Sequence, residues 1–220
     1  KDAHGRIQVP GFYDGVRDIS SSKANQWTAL GFDEAAFLGQ IGLTEPSGEH
    51  DRTALERLWA RPTADINGIW GGYQGPGSKT VIAAEAGAKV SFRLVPGQDP
   101  GKVVEGFKQF MATRVPADAK LSFEVFGAGS GLEISTDSPF VKAACQALEA
   151  EYRKPAVLMG AGGSIPVVET LIAELGVEPL LMGFGLSDDQ VHSPDEKFEV
   201  RCFHQGTRSH ARLLGNLGAL

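Results

Sequence analysis

Apolar and polar positions alternate most clearly between 88 and 93, where Ala88, Val90 and Phe92 are interleaved with Lys89, Ser91 and Arg93. A period of two is that of a half-buried strand, so "KTVIAAEAGAKVSFRLV" is read as a strand with Arg93 pointing off its apolar face. The turn residues of "PGQDP" end it. Val103, Val104, Phe107, Phe110 and Met111 then recur on one face of a helix within "GKVVEGFKQFMATRV", and "KLSFEVFG" returns as a strand. Strand, helix and strand in so short a span predict an α+β sandwich with an antiparallel sheet. Before it, residues 1–70 hold "VPGFYDGV", "SSSKANQW", "DEAAFLGQIG" and "DRTALERLWARP", read as short helices and loops wrapped on a neighbour.

The pattern changes after "GAGSGLEISTDSP". "SPFVKAACQALEAEY" opens with the Ser-Pro pair favoured at the N-cap and first helical position. "AVLM" reads as a short buried strand, "GAGGS" as a turn, "IPVVETLIAEL" as a helix, "VEPLLMGFG" as a second buried strand and "FEVRCFHQGTRSHARLLGNL" as an amphipathic closing helix. Continuous apolar strands between helices predict an α/β arrangement with a parallel or mixed sheet. The expected domain boundary lies near residue 128, with 1–70 and 71–128 as the two portions of the first domain and 129–220 as the second.

Composition narrows the function classes. The chain has 220 residues, 42% of them hydrophobic, enough for a real core. Net charge is −6 and the Lys and Arg residues are scattered, which argues against nucleic acid. No apolar run approaches the roughly 18 residues of a membrane span, so no membrane is expected. Cys145 and Cys202 form no CxxC pair and read as reduced thiols of a cytoplasmic protein.

Three places carry candidate chemistry. In "LMGAGGSIPVVE" a strand leads into a Gly-rich turn that opens a helix, which offers free backbone N–H groups to an anion, with the Ser164 hydroxyl beside them. The motif is equally that of a tight structural turn, and it lacks nucleotide-loop spacing. His192 sits in "GFGLSDDQVHSPDEKFEV", after a predicted strand, among Asp188, Asp189, Asp195 and Glu196, which could orient an imidazole bound to a metal. Arg93 is either a solvated charge or a fork for a substrate carboxylate, and Thr80 stands at the far end of the same strand to share that ligand.

"PGFYDGV", "GGYQGPGSKTVIAAEA", "SFRLVPGQDP", "GGSIPVV" and "DDQVHSPDEKFEV" occur in an order that resembles the dinuclear zinc exopeptidases related to carnosine dipeptidase, aminoacylase and succinyl-diaminopimelate desuccinylase, peptidase family M-twenty. The similarity covers nearly the whole chain. It implies a ferredoxin-like α+β lid that makes a homodimer, over residues 1–128, followed by the last part of a zinc-exopeptidase α/β domain. His192 matches a zinc ligand, Arg93 and Thr80 match lid residues that grip the substrate, and Gly163 and Ser164 match the loop that receives it. Two zinc ions are implied, with a small peptide or acyl-amino acid as substrate.

The same resemblance places the remaining ligands and the general base before Lys1, so that no catalytic residue is expected in this chain and the chain alone is expected to be inactive. It opens at "KDAHGR" with no initiator Met, as a C-terminal piece would. Gly160 and Ala161 stand where carnosinase-like dipeptidases carry an Arg-Glu pair, and Ala83 replaces a common proline. The alternatives are a stand-alone, non-catalytic dimerisation or binding module and a nucleotide-binding α/β protein that uses "GAGGS".

Overall fold

A computed structural model describes residues 1–161 and 166–220. Gly163 and Ser164 therefore lie outside the described residues. The chain divides into two compact units, one holding Lys1–Leu132 and the short run that begins at Gly160, the other holding Glu133–Met159 and most of the remainder to Leu220. The fold class is mixed α and β, with helices and a small antiparallel sheet.

The first unit starts with three short helices, each begun by an oxygen-bearing side chain. Ser20 caps α1 (Ser21–Thr28), and Asp33 caps α2 (Glu34–Gly39) by accepting from Ala36 N at 2.9 Å. At α3 (Ala54–Trp59), Thr53 and Glu56 exchange bonds, with Glu56 N donating to Thr53 Oγ1 at 3.2 Å and Thr53 N to Glu56 Oε2 at 2.8 Å. Such reciprocal capping satisfies two of the donors a helix start leaves free. Trp27 and Trp59 meet edge to face at 5.1 Å and join α1 to α3.

The sheet pairs β1 (Thr63–Gly71) with β2 (Ala86–Arg93), with Thr63 opposite Arg93 and Gly71 opposite Ala86. A bulge lies between Ile66 and Gly68. The helix expected after it is α4 (Pro100–Ala112), capped by Asp99 and opened by Pro100. Phe12, Ile7, Val9 and Val103 form the buried core, with Phe92, Phe107 and Phe110 packed against it. Phe92 lies 5.7 Å from Phe12 and 5.2 Å from Phe107, so the "GFYDG" segment, the sheet and α4 share one aromatic contact.

Beside that core, Glu49 is only 4% exposed and takes Arg6 Nη1 at 3.0 Å and Arg61 Nη2 at 2.9 Å. Both guanidinium groups also stand over the ring of Tyr13, at 4.3 and 5.5 Å from its centroid. The bond to Glu49 raises the Arg61 pKa further, and burial pushes the Tyr13 phenol up. A carboxylate this deep is tolerable only because it is paired and hydrogen-bonded.

In the second unit, α5 (Pro139–Tyr152) begins at the Ser138 cap with Pro139, as its sequence predicts, and α6 (Pro166–Leu175) and α7 (Val200–Leu217) follow. Ala143, Ala144 and Ala147 of α5 meet Leu213 of α7. Small side chains let the helices approach closely, and Asn216 Nδ2 donates to the Ala143 carbonyl at 3.0 Å. At the other end of the seam Arg208 Nη2 lies 2.6 Å from Glu151 Oε1. Cys145 and Cys202 are both free.

Four elements differ from expectation. β1 forms where the sequence predicts loop and turn, because Asp65, Asn67 and Gly68 are poor strand formers; pairing with β2 overrides that preference. The strands expected at 120–127, 156–159 and 177–185 make no ladder among the described residues. Much of their apolar surface is open, with Met159 at 61% and Leu181 at 56% exposed. A strand is defined by its neighbour, and an apolar run alone does not supply one.

Candidate functional site

The loop after residue 185 is organised by Asp189, which is 2% exposed. Its Oδ2 accepts from Leu186 N at 2.7 Å, its Oδ1 takes Lys197 Nζ at 3.3 Å, and its carbonyl takes Lys197 N at 3.0 Å. Lys197 also reaches Asp188 at 3.1 Å and Glu199 at 3.1 Å. One ammonium thus staples three carboxylates across the base of the loop. Its bonds to Asp188, Glu199 and Asp189 raise the Lys197 pKa well above the lysine range, and the bond to Lys197 holds the Asp188 carboxyl below its ordinary value.

Within the stapled loop Gln190, His192 and Asp195 have φ of 53°, 62° and 61°. Left-handed backbone is uncommon for residues other than glycine, and three such positions in six residues turn the chain sharply enough to present His192 at an exposed apex. The His192 amide donates to Glu196 Oε2 at 3.4 Å. Asp188, Asp189 and Glu196 are therefore engaged with Lys197 and the backbone, where the sequence suggests partners for the imidazole. Lys197, outside the expected set, is the residue that sequence reasoning missed; its only signal is its place at the end of an acidic run.

In the first unit Arg93 closes β2 opposite Thr63 with its side chain exposed, and Thr80 is exposed in the connection between the strands. Thr80 lies six residues before the start of β2, so it is not on the strand that carries Arg93. Gly160, in the same unit, has its Cα against the Trp59 carbonyl oxygen so closely that a Cβ would overlap it. The arginine implied at this position by the carnosinase-like pattern does not fit this backbone.

Among the described residues no group of three or more His, Cys, Asp or Glu side chains could hold a metal ion. His192 offers one exposed imidazole donor, where a zinc site takes three or four protein ligands. Among the same residues no helix is long and apolar enough to cross a membrane.

The hairpin and the helix packed against it fall in a region that comparison with known proteins relates to a family. Residues 16–119 match the family model of the M-twenty peptidase dimerisation domain. Over 211 residues the chain is 27% identical to a Cys-Gly metallodipeptidase of Candida albicans, covering 94% of this chain and 44% of that protein. It is 25% identical to the human Beta-Ala-His dipeptidase, covering 96% of this chain and 42% of that one. Among solved structures, a family M-twenty metallo-carboxypeptidase from Sulfolobus solfataricus superposes with a TM-score of 0.85 at 26% identity, over 100% of this chain and 50% of the other. The chain thus spans about half the length of the relatives it matches.

Proposed function

We propose that this chain is part of a zinc-dependent metallopeptidase that hydrolyses an amide bond next to a free carboxylate, as a dipeptidase or an N-acyl-amino-acid amidohydrolase. Residues 1–128 act as the lid and dimerisation domain and 129–220 as the C-terminal segment of the catalytic domain. His192 is a metal ligand, Arg93 and Thr80 bind substrate, and Gly163 and Ser164 contribute the receiving loop. His192 would help to hold zinc, which when bound would supply an activated water for amide hydrolysis at neutral pH. The observation that carries this reading is the near full-length similarity to metallodipeptidases, supported by the stapled loop that exposes His192. Two free thiols suit a reducing, cytoplasmic setting.

In a homodimer Thr80 and Arg93 can serve one substrate from different protomers, with the Thr80 of one protomer beside the Arg93 of its partner. Mixing Thr80→Val and Arg93→Ala protomers of the full-length protein then restores one intact site in each mixed dimer. Recovery of about half the wild-type activity per mixed dimer supports the reading; no recovery despite proven exchange of protomers opposes it.

Each role has its own readout. Arg93→Ala removes charge-assisted bonds worth about 1.5 to 3 kcal/mol, a roughly ten- to hundredfold loss of kcat/KM with metal content unchanged. His192→Ala lowers metal content and turnover together. A full metal complement and full rate in His192→Ala would refute its assignment. The 220-residue chain by itself is expected to hydrolyse no dipeptide, and zinc-dependent turnover by it would overturn this division of labour.

A further inference from the structure

The connection from β1 to β2 runs from residue 72 to 85, far longer than the about two to five residues of an ordinary hairpin loop. Every residue in it is exposed, and none belongs to the buried core of the unit. It is nevertheless ordered by its own side chains. Tyr73 Oη donates to the Pro76 carbonyl at 2.9 Å, and Lys79 Nζ stands over the Tyr73 ring, 4.6 Å from its centroid. The ring lies against Gly75, where a Cβ would come within 2.5 Å of Tyr73 Oη, and Gly77 makes the return at φ 79°. Val81 N then donates to the Lys79 carbonyl at 3.1 Å, which fixes the backbone on both sides of Thr80.

We infer that Tyr73 and Lys79 form a latch that holds the connection closed and positions Thr80 for the substrate, an inference that rests on the reading of Thr80 as a substrate residue. Contacts at this exposed place add nothing to the core, so their consequence falls on the residue next to the latch. The cation–π contact supplies the hold from Lys79, and the hydroxyl bond with the Gly75 contact supplies the hold from Tyr73. Both are positioning residues, since neither needs to touch the substrate. A long connection that is closed before binding leaves less ordering to be done when substrate arrives.

Two measurements test the latch. In the 220-residue chain, amide hydrogen exchange over 73–82 is expected to quicken in Tyr73→Ala, Lys79→Met and Gly77→Ala, whereas Tyr73→Phe, which keeps the ring under the ammonium, stays closer to wild type. In the full-length protein acting on an unmodified dipeptide, Lys79→Met is expected to raise KM about two- to fivefold with kcat and metal content unchanged. Lys79→Arg recovers most of that loss, and Tyr73→Ala raises KM about tenfold. Unchanged exchange in Tyr73→Ala overturns the latch. Faster exchange with an unchanged KM, in a protein where Thr80→Val does raise KM, overturns the positioning role alone. An unchanged KM in Thr80→Val removes the substrate role of Thr80, and the inference falls with it.

Discussion

The two units hold themselves together in opposite ways. The first ties distant parts of its sequence through polar groups taken out of water: Arg6, Glu49 and Arg61 converge on one another and on Tyr13. The second joins α5 to α7 through alanines and one leucine, with its ion pairs at the rim and on the loop. A buried charge network transmits the loss of one member to all, because the others are left unpaired in a poor solvent. A seam of small apolar residues is sensitive to shape instead. The same kind of ion pair therefore has different consequences in the two places, according to burial and not to distance.

Glu49→Ala should show the largest effect, because it strands two guanidinium groups. A loss of about 2 to 3 kcal/mol is expected, below the roughly 3 to 5 kcal/mol of a wholly buried pair because Arg6 is 40% exposed. Urea unfolding of the 220-residue chain measures it. A change within experimental error would dissolve the contrast between the units.

Ala147→Leu tests the other side. Ala147 has no exposed surface, so added methyl groups must spread α5 from α7, at a cost of about 1 to 3 kcal/mol. The near-ultraviolet signal of the first unit should be untouched. Full stability in this variant would mean that the seam is loose.

Ser209 sharpens the same point in the opposite direction. Its Oγ is buried with no hydrogen-bond partner among the described residues, so Ser209→Ala removes an uncompensated desolvation cost and is expected to be neutral or stabilising by up to about 1 kcal/mol. Clear destabilisation would show that the hydroxyl has found a partner.

The smallest effect is that of acid on the His192 loop. The Asp188 pKa lies below its ordinary value of 3.8 in the folded chain, so its contribution is complete above that value and is lost as pH falls through the lower folded value. The NMR signal of the Lys197 ammonium, which is bonded to Asp188, is expected to hold from pH 7 to about 5 and to change only as the Asp188 carboxyl protonates below its ordinary value. Earlier loss would place the hold on the loop elsewhere.

Much of this organisation is legible in the chain. The spacing of Val103, Phe107 and Phe110 specifies the face that α4 buries, and Ser138-Pro139 and Asp99-Pro100 mark helix starts that the structure keeps. Strands are harder, because their existence depends on a partner that local sequence does not name. Apolar runs at 120–127, 156–159 and 177–185 have the composition of strands and make no ladder among the described residues, while the poor strand formers around Asn67 are paired. At the candidate site the acidic loop is visible in the sequence, but the commitment of its carboxylates is not. That depends on Lys197 folding back over nine and eight positions to reach Asp188 and Asp189.

The bulge at Asn67 bears on how this chain is aligned with any other. Because one extra residue is accommodated there, Ile66 opposite Val90 and Ile69 opposite Ala88 stand on the same side of the hairpin although they are three apart. Deleting Asn67 would leave the composition almost untouched and restore a regular ladder, with Gly68 to Gly71 keeping their partners and their faces. In phase terms the residue is a half-period correction. A homologue one residue shorter between Ile66 and Gly68 is then properly aligned with its gap at Asn67, and an ungapped alignment across this point pairs inside positions with outside ones.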